Sequence, residues 1–130
     1  MQVKIDTKER FHVITILDTK LTANMTADIE NSLGIYLQNG VKSLILNLEK
    51  VEEMDLEVAE RIVKLQQSFY ERNASFVICA IQPKVESFLD EQQLLEIMSA
   101  TPTESEAWDI VQMEEIEREL LDDDEPSFKE

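Results

Sequence analysis

Short apolar runs alternate with stretches of helical periodicity along most of the chain, and that alternation predicts the elements. The clearest unit runs from Ser43 to Gln67. Leu44, Ile45, Leu46 and Leu48 form a run short enough for a strand and too continuous for a sheet wet on one side. It reads as a strand covered on both faces. The acidic loop Glu49 to Met54 follows. Asp55 then stands before Val58, Ile62, Leu65 and Phe69, whose spacings of four, three and four place them on one helix face. Asp55 is the natural N-cap, its carboxylate suited to the positive end of the helix dipole. The unit displays a helix start at the carboxyl end of a buried strand, where open α/β sheets tend to bind ligands and partners.

Taken in order, the runs VKI and FHVITIL, parted by the polar Asp6 to Arg10, predict a hairpin. His12 begins the second run and reads as a strand-end histidine, since no second histidine is available for a metal site. After the polar loop Asp18 to Met25, a helix carries Met25, Ile29, Leu33 and Leu37, with Asn24 or Thr22 as its cap. Gly40 suits the position past that helix, where a positive φ is needed, and Gly34 marks close packing on the sheet. Glu57 with Arg61 and Glu60 with Lys64 sit four apart, acid first, and give the second helix a solvated face. Ser75 to Ile81 predicts another buried strand, Pro83 the first turn of a helix with Val85, Phe88 and Leu89 inward, and Leu94 to Met98 a short last strand. Thr103 and Glu106 have capping-box spacing and open a final helix, with Ala107, Ile110, Val111, Met113, Ile116 and Leu120 as its apolar positions.

The string LILNLEKVEEMD, followed by a helix, resembles the central motif of STAS domains, the fold of bacterial anti-anti-sigma factors. ASFVICAIQPKVESFLDEQQLLEIM continues the resemblance in order and spacing, so that it covers residues 3 to about 111. It implies a single STAS-like α/β domain over residues 1–121, a mixed sheet of four or five strands with four helices packed mainly on one side. The last helix extends past the family's usual end near Val111, and residues 122–130 are expected to form an acidic, disordered tail.

The family typically carries Asp-Ser-Ser/Thr-Gly at the helix start, and a partner kinase phosphorylates the first serine. Here Asp55 is kept, but Leu56 occupies the acceptor position, followed by Glu57 and Val58. No Ser, Thr or Tyr occurs from Leu48 through Gln67, so phosphorylation in this loop is ruled out. Glu57 is either a favourable first-turn residue or a fixed charge imitating the phosphorylated form. Leu56, apolar at an exposed helix start, is the expected partner contact. Glu53, Asp55, Glu57 and Glu60 are the acids expected to surround it.

Composition narrows the partners. A net charge of −16 opposes nucleic acid and anionic membrane surfaces. The chain has no apolar run long enough to span a membrane and no signal peptide, and its single cysteine suits a reducing cytoplasm. Cys79, inside FVICAI, reads as a small core residue. Two glycines give no phosphate-cradling loop, and one histidine and one cysteine on different strands give no nucleophile-base pair. The clusters Glu52-Glu53-Asp55-Glu57 and Asp122 to Glu125 match no calcium loop and read as a solvated rim. No catalytic residue, metal or cofactor is therefore expected. The expectation is a cytoplasmic regulatory module resembling an anti-anti-sigma factor, binding a kinase-like or anti-sigma partner. The alternative is a constitutive subunit similar to the STAS subunits of bacterial lipid-transport ABC systems, bound to the ATPase. Partner identity and oligomeric state stay open.

Overall fold

The computed structural model describes the backbone of residues 1–127 and the side chains of residues 1–121. The expected hairpin is β1 (Val3–Thr7) and β2 (Phe11–Ile16), paired antiparallel with Val3 opposite Ile16. The predicted buried strand is β4 (Ser43–Asn47), and the next is β6 (Phe76–Cys79). Between β2 and β4 come β3 (Lys20–Leu21) and α1 (Thr26–Gly34), and between β4 and β6 come β5 (Glu53–Met54) and α2 (Leu56–Glu71). The chain continues with α3 (Pro83–Glu91), β7 (Ala100–Thr101) and α4 (Glu104–Ser127). The main sheet has the order β1-β2-β4-β6-β7, parallel except for β1, while β3 and β5 form a separate two-stranded parallel ribbon.

The central strand is covered on both faces, as its unbroken apolar run requires. Leu44 and Leu46 point into the larger core, with Ile29 and Leu33 of α1, Val58, Ile62 and Phe69 of α2, and Val85 and Leu89 of α3. Ile45 points the other way, into a smaller core of Phe11, Val13, Val77, Cys79, Ala107 and Val111. Three helices thus share one face and α4 alone covers the other.

The polar residues of β4 and β6 explain how α4 is seated. Period-two alternation sends Ser43, Asn47 and Ser75 to the α4 side along with Ile45 and Val77. The Asn47 amide donates to Glu104 at 3.0 Å, the Ser43 hydroxyl donates to Glu115, and the Ser75 hydroxyl donates to Glu114. Carboxylates of α4 therefore satisfy hydroxyl and amide groups that burial would otherwise penalise. The Thr103 hydroxyl accepts from the Glu106 N–H at 3.2 Å, so the expected cap forms. The expected tail over residues 122–130 falls where side chains, and beyond Ser127 the backbone, lie outside the described residues.

Several local expectations are corrected. The apolar run Leu94 to Met98 is no strand: Leu95–Ile97 form a single 3₁₀ turn, Leu94 and Leu95 pack against the core, and pairing begins at Ala100. The helix expected through Leu37 is one α segment flanked by 3₁₀ turns at Ala23–Met25 and Ile35–Gln38, with Thr22 rather than Asn24 in the cap position. Arg61 pairs with Glu30 of α1 instead of Glu57 on its own helix.

Gly40 does not take a positive φ. That conformation falls to Asn73 (60°), Ala80 (59°) and Gln93 (61°). Asn73 and Gln93 each close a Schellman motif, with Ala74 N–H donating to Phe69 O and Leu94 N–H to Leu89 O, both near 2.9 Å. Asparagine tolerates this conformation; glutamine does not favour it. Gln93→Gly should therefore raise stability by about 1 kcal/mol, measured as a shift in the urea midpoint with unchanged slope.

Candidate functional site

The candidate site is the loop from Glu49 to Asp55 with the first turn of α2. Its floor is buried, because Leu48, Val51 and Met54 all enter the larger core. Val51 N–H donates to Leu48 O at 3.0 Å, a tight turn that lifts the intervening Glu49 and Lys50 into solvent. The Asn47 side-chain oxygen Oδ1 accepts the Glu49 N–H at 2.8 Å, and the Gln82 amide donates to Glu49 O at 2.6 Å. The polar residue at the strand's end therefore shapes the loop and, through Glu104, anchors α4 as well.

The far side of the loop is held by the small ribbon. Glu52 and Glu53 N–H both donate to Thr19 O, at 2.7 and 3.1 Å, and Asp55 N–H donates to Leu21 O at 2.9 Å. Lys20 Nζ lies 3.3 Å from the Glu53 carboxylate. Asp55 holds the N-cap position with extended backbone (φ −76°, ψ 153°), and its carbonyl oxygen accepts the first helical bonds from Val58 and Ala59. Its carboxylate, however, does not cap α2. Asp55 Oδ2 accepts the Ala23 N–H at 2.8 Å, so it serves the start of the neighbouring 3₁₀ turn and ties the β3–α1 connection to the site. Spacing along one chain segment cannot reveal that partner, 32 residues away.

The structure brings the five predicted residues together on one surface. Glu53, Asp55, Leu56, Glu57 and Glu60 are all exposed, with Leu56 36% accessible and turned away from the buried Val58, Ile62, Leu65 and Phe69. A shallow groove of about 170 Å³ lies beside them, lined by Glu52, Glu53, Met54, Lys84, Val85 and Phe88. A larger cleft of about 480 Å³ lies elsewhere, near the amino ends of the parallel strands, where Arg10, Lys42 and Arg118 meet Glu9, Glu115 and Glu119. Arg10 pairs with Glu119 and Arg118 with Glu115, so much of its charge is internally compensated.

The residues weighed for other chemistry are occupied. His12 is buried, with Nε2–H donating to Val41 O at 2.9 Å and Nδ1 accepting from the Thr7 hydroxyl at 3.0 Å, and its ring packs on Tyr36. Cys79 lies in the smaller core, and burial, reinforced by Glu104 and Glu49, pushes its thiol up to about 12. An unfolded thiol ionises near pH 9, so stability should fall with rising pH between about 9 and 12. At pH 8 a maleimide should leave Cys79 unmodified in the native protein and label it fully in denaturant; rapid native labelling would contradict its burial. No helix among the described residues is long and apolar enough to cross a membrane.

Solved structures of other proteins share the fold. A protein of Thermotoga maritima described as an anti-sigma factor antagonist superposes with a TM-score of 0.71 at 22% identity, over 85% of this chain and 94% of its own. A serine-to-glutamate variant of RsbS from Moorella thermoacetica gives 0.71 at 19%, over 86% and 96%. The unphosphorylated anti-sigma factor antagonist SpoIIAA, from Bacillus, gives 0.68 at 19%, over 85% and 96%. At these identities the structures establish a shared fold. The STAS domain sequence profile matches residues 2–107, and with that match over most of its length the chain belongs to the STAS domain family.

Proposed function

We propose that this protein is a non-enzymatic, cytoplasmic regulatory module that binds a kinase-like or anti-sigma partner through the loop Glu52 to Asp55 and the first turn of α2. The observation that carries this is Leu56, a solvent-facing leucine at the position where the family typically places its phosphorylated serine. Exposed Glu53, Asp55, Glu57 and Glu60 surround it and suit a basic partner surface. With no hydroxyl between Leu48 and Gln67, binding here is independent of phosphorylation in the loop. Ser43, just upstream, is fully buried against α4 and is no substitute acceptor.

The missing hydroxyl also favours a second reading, a constitutive STAS subunit that binds an ABC ATPase. Co-purification of the tagged full chain with mass spectrometry separates the two. A histidine-kinase-like anti-sigma protein among the stoichiometric partners supports the first, and an ABC ATPase supports the second. Leu56→Asp is the decisive variant for the interface. Its melting temperature should match the wild type, and partner affinity should fall roughly ten- to a hundredfold, the worth of one buried leucine. Unchanged affinity in a folded variant would remove this surface from the interface.

A further inference from the structure

The second helix face open to solvent lies on α4, across the sheet from Leu56. Ala107 and Val111 enter the smaller core, while Glu114, Glu115 and Arg118 bond to β4 and β6 residues or to one another. These positions define the inward side. On a helix of 3.6 residues per turn, Asp109, Met113, Ile116 and Leu120 fall on the opposite side. Met113 is 62% exposed, Ile116 42% and Leu120 57%. Their spacing of three and four is that of adjacent positions in a coiled-coil seam, which accepts another helix rather than an extended segment.

Charge selects the partner. Glu106, Asp109 and Glu117 are exposed along this side, and among the described residues of α4 the single basic residue, Arg118, is turned inward to Ser75 and Glu115. A second copy of this chain would bring acidic rows together within a protein of net charge −16. An anionic lipid surface is repelled for the same reason. We propose that the outward face of α4 is a docking surface for a basic amphipathic helix. The partner seats its apolar stripe on Met113, Ile116 and Leu120 and sets lysines or arginines against Glu106, Asp109 and Glu117.

The probe is a helical peptide of about 18 residues, five turns, with leucine on one face and lysine on the other. It is titrated into the full chain carrying labelled methionine methyl groups. The Met113 signal should move on binding, while that of Met54, beside the other surface, should not. Affinity should fall at least tenfold in Ile116→Asp, and in the separate variant Leu120→Asp, and should weaken as salt is raised. A matched leucine–glutamate peptide should not bind. A stationary Met113 signal, or wild-type affinity in both variants, would overturn the proposal. So would a dimer in sedimentation that Ile116→Asp dissolves, since the occupant would then be a second copy. Failure here leaves the loop reading standing, because that reading is tested at Leu56 on the opposite side of the sheet.

Discussion

Phe69→Ala should lower the stability of this domain by about 3–5 kcal/mol, a large share of the ~5–15 kcal/mol typical of a domain. Phe69 is fully buried, and its ring meets that of Phe76 edge to face, with centroids 5.1 Å apart. Phe76 stands on β6 and Phe69 near the end of α2, so the pair locks the helix to the sheet just before the Schellman turn at Asn73. Truncation leaves a cavity that neither rigid element can collapse to fill. Thermal melting should show a drop of roughly 10–20 °C at this chain length. Leu120→Ala, on the exposed side of α4, should stay within about 0.5 kcal/mol of wild type. A large loss in both variants would contradict the exposure of Leu120, and a small loss in both would contradict the burial of Phe69.

The contrast between those two apolar positions marks what sequence alone can tell. The stripe Val58, Ile62, Leu65 and Phe69 was legible because a single helix face repeats with the helix period, and burial follows the period. The unbroken run of β4 likewise announced a strand covered twice. Along α4 the same reasoning placed six apolar residues without distinguishing sides, and only Ala107 and Val111 are fully buried. The inward side there is completed by Glu114, Glu115 and Arg118, charged residues that a hydrophobic pattern assigns to solvent. Their partners, Ser43 on β4 and Ser75 just before β6, lie tens of residues away.

The candidate site shows the same division. Leu56 and its four acids were legible as a local motif, and the structure places all five on one surface. The role of Asp55 was not, because a carboxylate beside two helix starts can serve either, and the ribbon of β3 and β5 brings Ala23 to it. The leucine run after α3 misled for a different reason. Short apolar runs have no period of their own, and this one forms a 3₁₀ turn that half-buries Leu94, Leu95 and Met98 and leaves Ile97 exposed.

Gln66 is the residue whose importance periodicity conceals most completely. It is 4% exposed within the inward face of α2, where a polar residue would ordinarily count against burial. Its amide nitrogen donates to Phe76 O at 2.9 Å and Ser99 O at 3.0 Å, and its oxygen accepts the Ser99 N–H at 3.3 Å. One side chain thus ties α2 to β6 and to the residue preceding the two-residue edge strand β7. Gln66→Leu keeps the volume but removes all three bonds, leaving the Ser99 carbonyl only its bond from Ile78 N–H, and should cost about 2–3 kcal/mol. The cost should be local as well as global. Amide exchange at Ala100 and Thr101 should accelerate before the rest of the sheet opens. Gln66→Glu should be worse at pH 7, because a carboxylate would face two carbonyl oxygens. Burial and those oxygens raise its folded pKa above the unfolded ~4.3, so the deficit should shrink as pH falls toward 4 and the protonated group can donate again. Denaturant titrations of both variants at pH 7 and pH 4.5 check the pair. A leucine variant within 0.5 kcal/mol of wild type, or a glutamate variant indifferent to pH, would show that β7 is held by its strand pairing alone.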